Sequence, residues 1–304
     1  MGMRARKSLV RTTLSAFRAG MRRLDRIAAR LTGYPADAGT QPAPEMTARF
    51  ETFFRSLPVD ADARRYLDIH LRRLVRTMTL APAPQGSRRV LELGAYLQMT
   101  PALESLAGYD EVRAADFGPL GQSVRKSVPL ADGEFVIDVD LFDAECDRFP
   151  YPDGYFSLIL CCEMLEHLLT DPMHMMCEIR RCLEPGGRAL FTTPNCASLS
   201  SIESVLSGQA NPQVFAEYSK SNAGSRPHVR EYTAIELGKL LSAAGFEVEH
   251  LFTERVSGAH ELGWVRELLV THHFDYALRG EQTYCLARMR EDLPVERYPE
   301  WLYD

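Results

Sequence analysis

Val90-Leu91-Glu92-Leu93-Gly94 is a short apolar run broken by one acid and stopped by a glycine. A strand buried on both faces of a parallel sheet has this composition, and the glycine lets the backbone turn sharply beside a ligand. About twenty residues further on, Glu111-Val112-Arg113-Ala114-Ala115-Asp116 reads as a second strand that ends in an acid. In a doubly wound sheet, an acid at that place accepts hydrogen bonds from ribose hydroxyls. The two strands predict an α/β chain built to hold a nucleoside.

A dinucleotide needs three glycines in G-x-G-x-x-G, so that backbone amides can approach a pyrophosphate. Here Gly94-Ala95-Tyr96-Leu97-Gln98-Met99 keeps only the first. A cofactor without phosphate depends less on such a cradle, and the sequence beyond favours one. Phe149-Pro150-Tyr151-Pro152-Asp153-Gly154 forms a turn entering the apolar strand Leu158 to Cys162. Glu163-Met164-Leu165-Glu166-His167 is expected to open a helix that runs to Leu183. Glu184-Pro185-Gly186-Gly187 then turns the chain into a strand from Arg188 to Thr193, closed by Pro194-Asn195.

This succession resembles the class I S-adenosyl-methionine-dependent methyltransferases. It is most similar to their small-molecule group, which includes quinone-pathway enzymes and bacterial enzymes of glycan modification. The resemblance runs from about Val90 to Arg288, with His228 to Glu249 matching a closing helix–strand unit. It implies an α/β, doubly wound, seven-stranded sheet with the last strand antiparallel, S-adenosyl-methionine as cofactor, and methyl transfer as the reaction. On the matching positions, Glu92 and Gly94 begin the cofactor motif, Asp116 holds the ribose, and Asp143 and Ala144 meet the adenine. Cys162 and Glu163 match the end of the strand under the methionine part. Tyr96 and Gln98 stand where the family has glycine. That departure motivates a reading from another class, a protein that binds the cofactor or docks on a partner without turnover.

Of the 304 residues 45% are hydrophobic, enough for a buried core. No apolar run approaches the roughly eighteen residues that span a bilayer. The cysteines number seven, an odd count that includes the adjacent Cys161-Cys162, which suits reduced thiols in a cytoplasmic protein rather than a disulfide framework. No C-x-x-C pair offers a zinc site.

Residues 1–33 carry nine Lys/Arg against the single acid Asp25, a net of plus eight. The total of minus six therefore leaves minus fourteen for the remainder, which argues against a nucleic-acid partner. Within that segment Val10, Leu14, Phe17, Met21, Leu24, Ala28 and Leu31 alternate steps of four and three, the seam of a basic amphipathic helix. Three destinations stay open for it: the anionic inner face of a membrane, a second helix as in a homodimer, or the catalytic domain itself. An organellar transit peptide is a fourth.

The chain thus divides into the basic helix 1–33, a linker at 34–45, a helical lid or cap at 46–86 and a methyltransferase domain at 87–304. That domain contains an acceptor loop at 207–232 and an insertion at 255–281. Long loops of this kind carry function more often than not, and Tyr218 and Arg230 are the expected contacts to a hydroxylated or anionic acceptor. The expected acceptor is a small molecule, or a glycan- or lipid-linked intermediate. Transfer to a hydroxyl calls for a base titrating near neutrality, and His167 and His228 are the candidates. Glu163, Glu166 and His167 also form E-x-x-E-H, which resembles the metal-binding element of some O-methyltransferases, with His228 completing the set. A hard cation there would activate the acceptor hydroxyl. In the alternative, the same residues brace helix and loop and bind no metal.

Overall fold

The computed structural model describes residues 41–208, 227–256, 262–274 and 277–303. The basic segment 1–33 and Tyr218 lie outside them. Helices α1 (Pro44–Ser56) and α2 (Ala61–Leu80) precede strand β1 (Arg89–Leu93), helix α3 (Thr100–Ser105) and strand β2 (Glu111–Asp116). Strands β3 (Gln122–Leu130), β4 (Gly133–Leu141) and β5 (Phe156–Cys162) follow, then helix α4 (Pro172–Cys182) and strand β6 (Leu183–Pro194). The chain continues through α5 (Leu199–Ser207), α6 (Ala234–Ala243), β7 (Phe246–Glu254), α7 (Gly263–Thr271), β8 (Gln282–Met289) and α8 (Glu300–Tyr303).

The eight strands form one sheet in the order β3-β4-β2-β1-β5-β6-β8-β7. The ladder from β4 through β2, β1 and β5 to β6 is parallel, and β8 runs antiparallel to both β6 and β7. This is the doubly wound α/β sheet that the sequence predicts, with its final strand reversed. It has one strand more than the expected seven: β3, antiparallel to β4 along its whole length. The reason β3 escapes sequence reading is its exposure. An edge strand with Arg125 and Lys126 at its middle shows no buried run, and only the tight turn at Gly133 (φ 144°) marks the hairpin.

Side chains leave the strands alternately to the two faces. Leu91, Leu93, Ile159, Cys161, Ala189 and Phe191 enter one buried layer, under Met176 and Ile179 of α4 and Leu237 and Leu241 of α6. Val90, Leu158, Leu160 and Leu190 enter the other, under Phe50 and Phe54 of α1, Leu67 and Leu74 of α2, and Leu103 of α3. Burial on both faces explains the mostly apolar strands. It also makes helices α1 and α2 part of the core on that face.

The helix expected from Glu163 is absent in that form. A single 3-10 turn spans Leu165–His167, and α4 starts only at Pro172, where Asp171 caps it by accepting from the His174 amide at 3.1 Å. Proline disfavours helix in the residue before it and suits the first helical turn, so the sequence Asp171-Pro172 fixes the start.

Candidate active site

The C-terminal ends of β1, β2 and β5 open onto a cavity of about 440 Å³, at the point where the strand order reverses around β1. Its size is that of a small-molecule site. Gly94, Asp116, Asp143, Ala144 and Glu163 line it, together with Tyr96, Lys126 and His167. Gly94 holds φ 63°, and a Cβ there would stand 3.5 Å from Met164 Sδ, so the backbone conformation rather than crowding calls for glycine. Asp116 Oδ1 accepts from the Phe117 amide at 2.8 Å, and Oδ2 lies 3.2 Å from Lys126 Nζ. Asp143 Oδ1 accepts from the Glu145 amide at 3.0 Å, which sets the turn after Phe142.

Glu92 and Cys162 stand behind this wall rather than in it. Glu92 is buried, and one carboxylate oxygen accepts from Thr100 Oγ1 at 2.5 Å. Burial pushes its carboxyl up to about 7, against which the Thr100 bond acts as the weaker influence. It therefore ties strand β1 to the start of α3. Burial likewise pushes the Cys162 thiol up to about 12, which leaves it protonated and unreactive near neutrality.

Glu163 ends β5 with φ 52°, in the left-handed region that non-glycine residues rarely enter. Its amide donates to Thr192 O at 2.8 Å. Its Oε1 accepts from Thr192 Oγ1 at 2.8 Å and Gln282 Nε2 at 2.7 Å, while Oε2 lies 3.3 Å from Arg73 Nη1. Sequence reading missed Arg73 and Lys126. Arg73 had a signal, an arginine between Leu71 and Leu74 on the apolar side of a helix; Lys126 had none.

Glu166 is fully buried, with Oε2 accepting from Thr193 Oγ1 at 2.9 Å. Burial first, and the nearby charge of Glu163 second, hold its carboxyl well above the usual range. Its Oε1 makes no hydrogen bond among the described residues and lies 4.0 Å from His228 Nε2. The Glu166 carbonyl accepts from Val229 N at 2.7 Å and Arg230 N at 3.2 Å, so the segment 227–230 is fastened here. The His167 and His228 rings meet edge to face, with centroids 4.8 Å apart. His167 Nδ1 is 3.1 Å from Pro227 O; a carbonyl only accepts, so Nδ1 carries the proton and Nε2 is the basic nitrogen. His228 Nδ1 lies 3.2 Å from Glu231 Oε1. Arg230 is turned to Glu236 at 2.8 Å and covers the Tyr232 ring at 4.8 Å, and is not part of the cavity wall.

The family model described as a methyltransferase domain matches residues 62–251. The chain is 26% identical over 170 residues to the ubiquinone biosynthesis O-methyltransferase of Thiobacillus denitrificans, a match covering 56% of this chain and 68% of that relative. It is 32% identical over 111 residues to the "Probable S-adenosylmethionine-dependent methyltransferase" of Mycolicibacterium smegmatis, covering 36% of each. Among solved structures, a SAM-dependent methyltransferase from Archaeoglobus fulgidus superposes with a TM-score of 0.48 at 17% identity, over 75% of this chain and 100% of that one.

Proposed function

Because the chain belongs to the methyltransferase-domain family and uses S-adenosyl-methionine, we propose that it methylates a hydroxyl of a small molecule or of a glycan- or lipid-linked intermediate, with His167 and His228 taking up the proton. When bound, the cofactor supplies a methyl group made electrophilic by its positively charged sulfur. The cavity fits such a group. Gly94 lets the backbone approach, Asp116 offers a carboxylate to ribose hydroxyls, and Phe142 and Leu168 add apolar wall. Oxygen as the acceptor atom draws support from the name of the Thiobacillus relative.

One observation carries the reading. His167 lines the cavity with its proton fixed on Nδ1, and His228, which is not part of the cavity wall, packs against its ring, so one base faces the cofactor space and a second stands against it. The test is release of S-adenosyl-homocysteine on incubation with S-adenosyl-methionine and a panel of phenols, polyols and glycan-linked alcohols. Removing the working base should slow turnover by roughly 10²–10⁴-fold. Undiminished turnover in both His167→Ala and His228→Ala would exclude the pair. Cofactor binding with no product from any acceptor would favour a protein that binds without turnover.

A second reading has its own support. Glu166, His167 and His228 bring one ligand atom each within 4.8 Å of one another, and the Glu166 oxygen facing His228 is buried without a hydrogen bond. These three residues would hold a divalent cation, whose positive charge would stabilise an acceptor alkoxide. Full activity after exhaustive chelation would dispose of this reading.

A further inference from the structure

We propose that Arg73 of α2 is a positioning residue for the cofactor cavity, acting through Glu163 on one side and through a Tyr66–Tyr96 stack on the other. The inference rests on S-adenosyl-methionine as the cofactor and on nothing assumed about the acceptor.

Arg73 is 5% exposed, and a guanidinium taken so far out of water needs close partners. It has two. Nη1 lies 3.3 Å from Glu163 Oε2, and Nη2 donates to the Tyr66 hydroxyl at 3.0 Å. The other Glu163 oxygen is already taken by Thr192 and Gln282, so side chains from α2, β6 and β8 converge on this one carboxylate. That convergence explains how Glu163 stays in a left-handed conformation at the cavity wall, since such backbone persists only where its surroundings over-determine it. On the other side, the Tyr66 ring lies nearly parallel to that of Tyr96, 14° between planes and 5.9 Å between centroids. Tyr96 is 70% exposed and lines the cavity, in the very loop that lacks the family's glycines. A loop that cannot wrap a ligand by glycine flexibility takes its shape here from the cap. Arg73 joins both walls to one rigid helix.

The test is calorimetric titration of the full chain with S-adenosyl-methionine, with melting temperatures measured in parallel. Arg73→Met should weaken binding about tenfold, and Arg73→Lys, which keeps the charge but cannot reach both partners, should fall between. Placed in a Glu163→Gln background, Arg73→Met should cost less than about threefold, because the partner it acts through is already altered. If Arg73→Met does not fold, Arg73→Lys and Tyr66→Phe should each weaken binding by about threefold. Affinities within twofold of wild type alongside lowered melting temperatures would make the role purely structural and overturn the proposal. So would independent, fully multiplying effects of Arg73→Met and Glu163→Gln. A wild-type chain that binds no cofactor would overturn the proposal with its premise, an outcome the wild-type titration alone identifies.

Discussion

Lys126 Nζ lies 3.2 Å from Asp116 Oδ2, so a strand outside the parallel ladder sets a cation against the acid that ends β2. Both side chains stay partly open to water, at 37% and 43% exposure, which limits the pair itself to at most about 1 kcal/mol. Its consequence for binding is larger than its consequence for stability. S-adenosyl-methionine carries a positive sulfur, and a lysine lining the cavity opposes it.

Lys126→Met is therefore expected to tighten S-adenosyl-methionine binding about two- to fivefold and to leave S-adenosyl-homocysteine, whose sulfur is neutral, nearly unchanged. Asp116→Ala should weaken both ligands by roughly tenfold or more, through lost hydrogen bonds to a charged acceptor. Paired calorimetric titrations read both effects. An equal gain for the two ligands in Lys126→Met would show that the lysine acts by bulk and not by charge.

Glu92 links stability to pH. Its carboxyl titrates near 7 in the fold against 4.5 for the free side chain, so between those values the folded chain holds more protons than the unfolded one. Stability must then fall as pH rises from about 4.5 to about 7, and level off above. Glu92→Gln removes the ionisable group and keeps an acceptor for Thr100. The variant should match wild type near pH 5 and exceed it by something on the order of 3 kcal/mol at pH 8. Melting temperatures across that range give the answer, and parallel curves for the two proteins would contradict it.

Gly94→Ala tests backbone strain apart from steric exclusion. With φ at 63° and the nearest atom to a new Cβ at an ordinary 3.5 Å, the substitution should cost about 1–2 kcal/mol through conformation alone. Denaturant unfolding should show that loss while the variant still binds the cofactor. A variant that folds with unchanged stability would mean the loop relaxes out of its left-handed turn.

The cation reading predicts that manganese added to chelated protein raises the melting temperature of wild type but not of His228→Ala or Glu166→Gln. A thermal shift that survives both substitutions would place the ion elsewhere.

Much of this molecule is dictated locally. Val90 to Leu93 and the strand ending at Cys162 are visible as mostly apolar runs because both of their faces are buried, Glu92 being the exception in the first. The helix Ala234–Ala243 is marked by its capping box, Thr233 with Glu236. The acid and glycine at the ends of β1 and β2 announce a nucleoside site because strand ends converge wherever a doubly wound sheet changes direction. Read alone, then, the chain specifies the parallel ladder of its sheet and its family.

Packing alone decides the rest. Strand β3 carries solvent on most of its surface and has no periodic signature, yet it brings Lys126 to Asp116. Gln282 reaches Glu163 across 119 positions of chain, and Arg73 reaches it from a helix that precedes the whole sheet. Glu166 meets His228 only because the loop returning at Val229 hydrogen-bonds to the Glu166 carbonyl. Hydrophobic periodicity records which face of an element is buried, but not which distant side chain will lie against it. The residues that shape this cavity most closely are paired by contacts of that second kind, and only the folded chain brings them together.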